Sequence, residues 1–276
     1  VIAAAFAAGA LILTGCGEKS EPTPSAQTSA APAAGASAAK DDLLARVMKK
    51  GEITIATEGT WAPWTYHDEK NALTGFDVEL GRQIAAKLGV KAHFIEGKWD
   101  GLLAGISAGR FDIMINGVDV TPERSKAFLF TEPYAFNRTV VMTKTDSDKV
   151  KTLDDLKGLN VSVQLGSISH DRAKKIPGAK ITTFESGADA MLNMISGNAD
   201  AVINAQPATD YMIVSRPSLQ TKLERLDFVA DAVPMAMIFP KNRADLQKAV
   251  NKALAEIRAD GTYEKLHMKW FGRPKQ

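Results

Sequence analysis

The strongest constraint on the fold is a short pattern that occurs twice. Gly109-Arg110-Phe111-Asp112-Ile113-Met114-Ile115-Asn116-Gly117 and Gly197-Asn198-Ala199-Asp200-Ala201-Val202-Ile203-Asn204-Ala205 both read Gly-x-x-Asp-x-x-Ile-Asn-small. Each follows a short apolar helical stretch, Leu102-Leu103-Ala104-Gly105-Ile106-Ser107-Ala108 in one case and Ala190-Met191-Leu192-Asn193-Met194-Ile195-Ser196 in the other. A helix that stops at glycine and feeds an apolar strand is half of an α/β unit. Its return in one register points to two equivalent units, with strands expected over residues 110–117 and 198–205. Open α/β sheets bind ligands beyond the C-terminal ends of their strands. The tips Asn116-Gly117 and Asn204-Ala205 are therefore expected to face each other across a cleft between two lobes.

The rest of the chain supports an alternating α/β order. Gly51-Glu52-Ile53-Thr54-Ile55-Ala56-Thr57 reads as a strand, and residues 77–88 as a helix with Leu80, Ile84 and Leu88 on one face, ended by Gly89. A strand over 91–95 follows. At 276 residues and 45% hydrophobic content the chain can bury two modest cores. The β-branched run 139–143 and the apolar run 233–239 are the places to cross between them, which implies a hinge of two strands. This puts lobe 1 at 41–141 plus 239–276 and lobe 2 at 142–238, with the C-terminal helical residues 265–271 returning to lobe 1.

Residues 1–13 are almost wholly apolar, too short to span a bilayer but suited to the core of a signal peptide. They end in Leu13-Thr14-Gly15-Cys16, which resembles the lipobox of bacterial lipoproteins and contains the single cysteine of the chain. Residues 18–40, rich in Ala, Ser, Pro and Thr, bury too little apolar surface to offset the entropy of ordering. The reading is a signal peptide over 1–15, then a lipidated Cys16 and flexible linker over 16–40. This implies export to the cell envelope and a membrane anchor whose acyl chains contribute roughly 0.8 kcal/mol per buried methylene.

Composition removes several functions. The 34 basic and 32 acidic residues are intermingled, for a net charge of +2, so no basic stripe marks a nucleic-acid surface. His67, His93, His170 and His267 show no metal-ligand spacing, and no phosphate-binding glycine loop occurs, so neither a metal nor another cofactor is expected.

Between residues 43 and 271 the sequence resembles the polar amino-acid family (family 3) of periplasmic solute-binding proteins, the receptors of ABC importers. The motifs that carry this are Thr57-Glu58-Gly59-Thr60-Trp61-Ala62-Pro63-Trp64, Leu73-Thr74-Gly75-Phe76-Asp77-Val78-Glu79, Trp99-Asp100-Gly101-Leu102, Val120-Thr121-Pro122-Glu123-Arg124, Phe130-Thr131-Glu132-Pro133-Tyr134, Leu153-Asp154-Asp155-Leu156-Lys157-Gly158, Gln164-Leu165-Gly166-Ser167 and Asp260-Gly261-Thr262-Tyr263. The resemblance implies a type II two-lobed fold, each lobe a mixed sheet flanked by helices. It also implies a monomeric receptor that performs no chemistry, closes on one free polar L-amino acid and docks on a permease. Cystine and the cationic amino acids are candidate ligands.

It further implies roles at single positions. Arg124 grips the ligand α-carboxylate, and a guanidinium does offer two parallel donors to a carboxylate; alone it would read as a surface arginine on a short helix. Gly166 and Ser167 meet the same carboxylate from the other lobe, or form an ordinary helix cap. Trp61 and Trp99 sandwich the ligand side chain, where a core role is the alternative, and Trp64 reads as packing. Glu58 lines the cleft or belongs to a turn. Asn116, Gly117 and Asn204 sit at the strand tips.

The departure from the family concerns the ammonium group. Members generally carry an aspartate at the second-lobe strand tip, where this chain has Ala205, while the first lobe has Asp119 where Ser, Thr or Gly is common. A buried ammonium without an anion costs several kcal/mol, so some carboxylate must answer it. Asp119 is expected to take that part, helped by carbonyls near Gly117 and by the amide of Asn204. In the rival assignment Asp119 and Glu58 hold a basic side chain. An enzyme on the same scaffold, a cyclohexadienyl or arogenate dehydratase, would instead need a protonated carboxyl in the cleft, from Asp119, Glu58 or Asp100.

Overall fold

The computed structural model of the chain describes residues 42–216, 218, 223–226 and 232–272. The expected signal peptide, Cys16 and linker lie outside these residues. Asp42 caps α1 (Leu43–Lys50) by accepting from the Ala45 N–H, and Gly51 ends it in the left-handed region. β1 (Glu52–Thr57) leads to three short strands, β2 (Thr60–Trp61), β3 (Thr65–His67) and β4 (Leu73–Thr74), which form a small antiparallel sheet. Helix α2 (Phe76–Leu88) buries Leu80 and Ile84, as their spacing predicts, and stops at Gly89. Gly75, at φ 125°, is required at its start, because a Cβ there would stand 2.2 Å from the Trp64 carbonyl oxygen.

The first lobe continues with β5 (Lys91–Glu96), α3 (Trp99–Ser107), β6 (Ile113–Asp119), α4 (Pro122–Ala127), β7 (Phe128–Phe130) and β8 (Ala135–Asn137). The second lobe consists of β9 (Thr139–Lys144), β10 (Asn160–Gln164), α5 (Ile168–Ala173), β11 (Lys180–Phe184), α6 (Gly187–Ile195), β12 (Ala201–Ala205), α7 (Gln206–Val214) and β13 (Leu223–Leu226). The chain then returns through β14 (Val233–Pro240), and α8 (Ala244–Ala259) and α9 (Thr262–Phe271) pack on α2.

The two main sheets have one plan. The first runs β5-β1-β6-β14-β7 with β8 also on β14, and the second runs β11-β10-β12-β9-β13. In each, the first three strands are parallel and the fourth is antiparallel. The repeated strands β6 and β12 occupy the same place, and the fourth strand in each sheet is a crossing segment.

The repeated aspartates explain the match. Asp112 accepts from the Thr54 N–H at 2.8 Å and the Thr54 hydroxyl at 2.6 Å, while its own N–H donates to the Thr54 carbonyl. Asp200 does the same for Asn160, accepting from its N–H at 3.0 Å and donating to its carbonyl. Each aspartate thus ties the repeated strand to the start of its parallel neighbour. This tie and the left-handed glycines Gly109 and Gly197 take up the residues before pairing begins, so the strands start at Ile113 and Ala201 rather than at 110 and 198. The first one also runs on to Asp119.

Strand pairing puts the crossings slightly off their expected positions. All of β9, from Thr139, pairs in the second sheet, and all of β14, from Val233, pairs in the first. The chain therefore leaves lobe 1 near Arg138, not at 141/142, and returns before Val233, not at 238/239. A strand joins one ladder as a unit, and the hydrophobic runs gave no sign of which ladder each end would join. Each sheet is covered on both faces, with Ile113 and Ile115 in one cluster and Met114 and Val118 in another. Burial of each such large side chain contributes about 1.5–3 kcal/mol, which explains the unbroken apolar run of β6.

Candidate functional site

The C-terminal ends of β6 and β12 meet at one cavity lined from both lobes, by Glu58, Trp61, Trp99, Gly117, Asp119, Arg124, Asn137, Gln164, Ser167, Ile168, Ser169, Asn204 and Ala205. Most of the residues singled out in the sequence are among them. Asn116 and Gly166 are not lining residues, and each supports a neighbour instead. Asn116 is fully buried behind Glu58: it accepts from the Glu58 N–H at 2.8 Å and donates to Glu58 Oε2 at 2.7 Å. The Gly166 carbonyl accepts from Arg124 Nη2 at 3.4 Å, across the cleft.

Arg124 owes its place to local sequence. Thr121 accepts from the Arg124 N–H as helix cap and Pro122 opens α4, so the guanidinium emerges one turn beyond the β6 tip. Its Nη1 donates to the Asp119 carbonyl at 3.1 Å, and it lies 5.1 Å over the Trp99 ring. Trp61 stacks on Trp64 at 5.8 Å, and Trp64 is core, as its sequence context suggests. Gly117, at φ 53°, lets the Trp61 ring lie on the strand, since a Cβ would come within 2.4 Å of it. Trp61 and Trp99 are both buried and both line the cavity, and the indole N–H of each has no partner among the described residues.

Two buried carboxyls face this cavity. Glu58 accepts from Asn116 and, at 2.7 Å across the cleft, from Gln164 Nε2. Burial pushes it up to about 7, against the pull of those two amides and with a small push from Asp100. Asp119 accepts from Asn137 Nδ2 at 3.0 Å. Burial raises it to about 6, opposed by Asn137 and then by the guanidinium charges of Arg124 and Arg172.

On the second lobe two of the expected donors are already engaged. The Ser167 hydroxyl donates to the Gln164 carbonyl at 2.8 Å and caps α5, and the Gly166 N–H points to His170 Nδ1 at 3.3 Å. Asn204 Oδ1 accepts from the Ala205 N–H at 2.8 Å, which leaves its Nδ2, a donor, as the atom without a partner among the described residues.

The lobes also touch at the rim, through Lys98–Glu185 at 2.6 Å and the Tyr211 and Tyr66 hydroxyls at 3.2 Å. Asn137, Gln164, Ile168 and Ser169 line the cavity without having been assigned to it from the sequence, and Arg172 acts on Asp119 through its charge. Only Gln164, the strand end before a Gly-Ser turn, carried a local signal. Among the described residues no cluster of His, Cys, Asp and Glu could hold a metal, and no helix is long and apolar enough to cross a membrane.

Two hinged α/β lobes with mixed sheets and a charged, indole-lined cavity between them define a type II ligand-binding receptor. The chain matches the model of the bacterial extracellular solute-binding proteins, family 3, over residues 53–273, and it belongs to that family. It is 35% identical to a probable amino-acid ABC transporter-binding protein of Haemophilus influenzae over 84% of this chain and 89% of that one. It is 36% identical to the L-cystine-binding protein TcyA of Bacillus subtilis, over 85% and 87% of the two chains. Among solved structures it resembles the ancestral amino acid-binding protein AncCDT-1, a precursor of cyclohexadienyl dehydratase, with a TM-score of 0.76, 34% identity and coverage of 83% and 99%.

Proposed function

We propose that this protein captures a free polar L-amino acid between its lobes and hands it to an ABC importer, held at the membrane by a lipid on Cys16. The observation that carries the ligand reading is that the guanidinium of Arg124, which donates to the Asp119 main-chain carbonyl, and the buried Asp119 carboxyl line one cavity at the tip of one strand. A zwitterion needs both a guanidinium and an anion a few ångströms apart, and the indoles of Trp61 and Trp99 suit its side chain. Asp119 answers the ammonium because Ala205 cannot. Cystine is a ligand to test first, given the L-cystine-binding relative. In the alternative assignment Asp119 and Glu58 hold a cationic side chain. A thermal-shift screen of the common amino acids and cystine identifies the ligand, since saturation at a hundred times Kd adds about 2.7 kcal/mol of stability. Calorimetry on Asp119→Asn then separates the assignments: loss of affinity for all amino acids alike supports the ammonium role, and loss confined to cationic ligands refutes it.

One observation favours a second reading, dehydration by general acid catalysis: Glu58 rises to about 7. Against it, both Glu58 oxygens accept from amide N–H groups, an arrangement suited to a carboxylate rather than to a proton donor. Formation of an aromatic product from prephenate or arogenate would establish the enzyme.

A further inference from the structure

We propose that Asn137 is a ligand-binding residue whose side-chain carbonyl accepts a hydrogen bond from the ligand ammonium, beside the Asp119 carboxylate. This rests on the amino-acid reading above. Asn137 is the last residue of β8, next to the first crossing, is 3% exposed, and lines the cavity. Its orientation is fixed by chemistry. The atom 3.0 Å from Asp119 Oδ1 must be the amide nitrogen, because a carboxylate only accepts. Oδ1 is then the free end, and it has no partner among the described residues. A buried carbonyl left unpaired is costly, and in this cavity the missing complement is a donor.

The other lining groups narrow that donor to the ammonium. Asn204 Oδ1 already accepts from the Ala205 N–H and its Nδ2 is the group without a partner among the described residues, the Ala205 side chain offers nothing, and each Glu58 oxygen already accepts from an amide. An ammonium brings three N–H groups, more than one carboxylate satisfies. Asp119 supplies the charge and Asn137 Oδ1 a second acceptor. Both lie on the lobe 1 side of the crossing, together with Arg124, so the two ends of the zwitterion are held by one lobe. Asn204 Nδ2 is left to meet an acceptor of the ligand from the other.

The test is a cycle between protein and ligand. The tightest of the proteinogenic amino acids and cystine is compared by calorimetry with its α-deaminated analogue, on wild type and on near-isosteric Asn137→Leu, or Asn137→Ala if Leu melts below the assay temperature. We expect Asn137→Leu to weaken the amino acid roughly tenfold or more and leave the analogue within about twofold, as for loss of one bond to a charged group. Asn137→Asp, which keeps an acceptor, should retain most of the discrimination. In an Asp119→Asn background Asn137→Leu should still reduce it. Equal losses for amino acid and analogue, loss of discrimination in Asn137→Asp equal to that in Leu, or no further effect in the Asp119→Asn background would each overturn the binding role while leaving the receptor reading intact. A wild type that binds none of these amino acids would overturn both.

Discussion

In the first lobe Asp112 holds Thr54, and the strand it anchors ends in Asp119 with Arg124 one turn beyond; in the second, Asp200 holds Asn160, and the matching strand ends in Asn204 and Ala205. The scaffolds are alike to the level of single hydrogen bonds. The chemistry at their tips is not. Lobe 1 contributes both indoles, both carboxyls and the guanidinium that contacts the cavity, with the Asn137 amide, whereas lobe 2 contributes only uncharged, non-aromatic groups, the amides of Gln164 and Asn204, the hydroxyls of Ser167 and Ser169, Ile168 and Ala205. A duplicated framework thus does not require duplicated chemistry: one half brings the charged and aromatic side chains of the cavity, and the other meets it through contacts such as Glu58–Gln164.

The asymmetry can be broken most directly by cutting each side. Arg124→Met should lower amino-acid affinity a hundredfold or more, about 3 kcal/mol, and Asn204→Ala only severalfold, because loss of one half of a buried charge pair costs far more than loss of a neutral donor. Calorimetry on both variants decides; comparable losses would show that the lobes share the ligand evenly. The equivalence of the scaffolds is sharpened by Asp112→Ala and Asp200→Ala. Each should cost about 2 kcal/mol in urea unfolding by leaving strand N–H groups unpaired, with the two values similar.

The smallest effect is in pH. Glu58 titrates near 7 when folded, against an ordinary 4.5, so between those values the folded state binds more protons than the unfolded. Without added amino acid, its contribution to stability is present below about pH 4.5 and is lost as pH rises towards 7. Glu58→Gln should flatten that decline by about 1 kcal/mol in urea midpoints taken from pH 5 to 8; an unchanged slope would count against a buried Glu58. Ligand affinity should run the other way through pH 6, rising as Asp119 ionises.

How much of this could be read in advance depended on sequence distance. Helix α2, with Leu80 and Ile84 buried and Gly89 at its end, followed from periodicity and a cap. Asp119 and Arg124 could be read together because the strand tip and the short helix after it are contiguous. Asn137 could not. It reaches Asp119 only because β14 pairs with both β6 and β8, setting Met235 opposite Asp119 and Val233 opposite Asn137. Gln164 meets Glu58, and Arg172 comes near enough to act on Asp119, only because the lobes close on each other.

By itself the sequence determined the repeat, the two α/β lobes and the family, since local periodicity, glycine positions and contiguous motifs suffice for those. Tertiary structure alone decided where each crossing strand pairs, which atom of each asparagine is left free, and how far two carboxyls are pushed from their usual range. Those properties arise from register and burial, which join residues far apart in the chain and have no local signature.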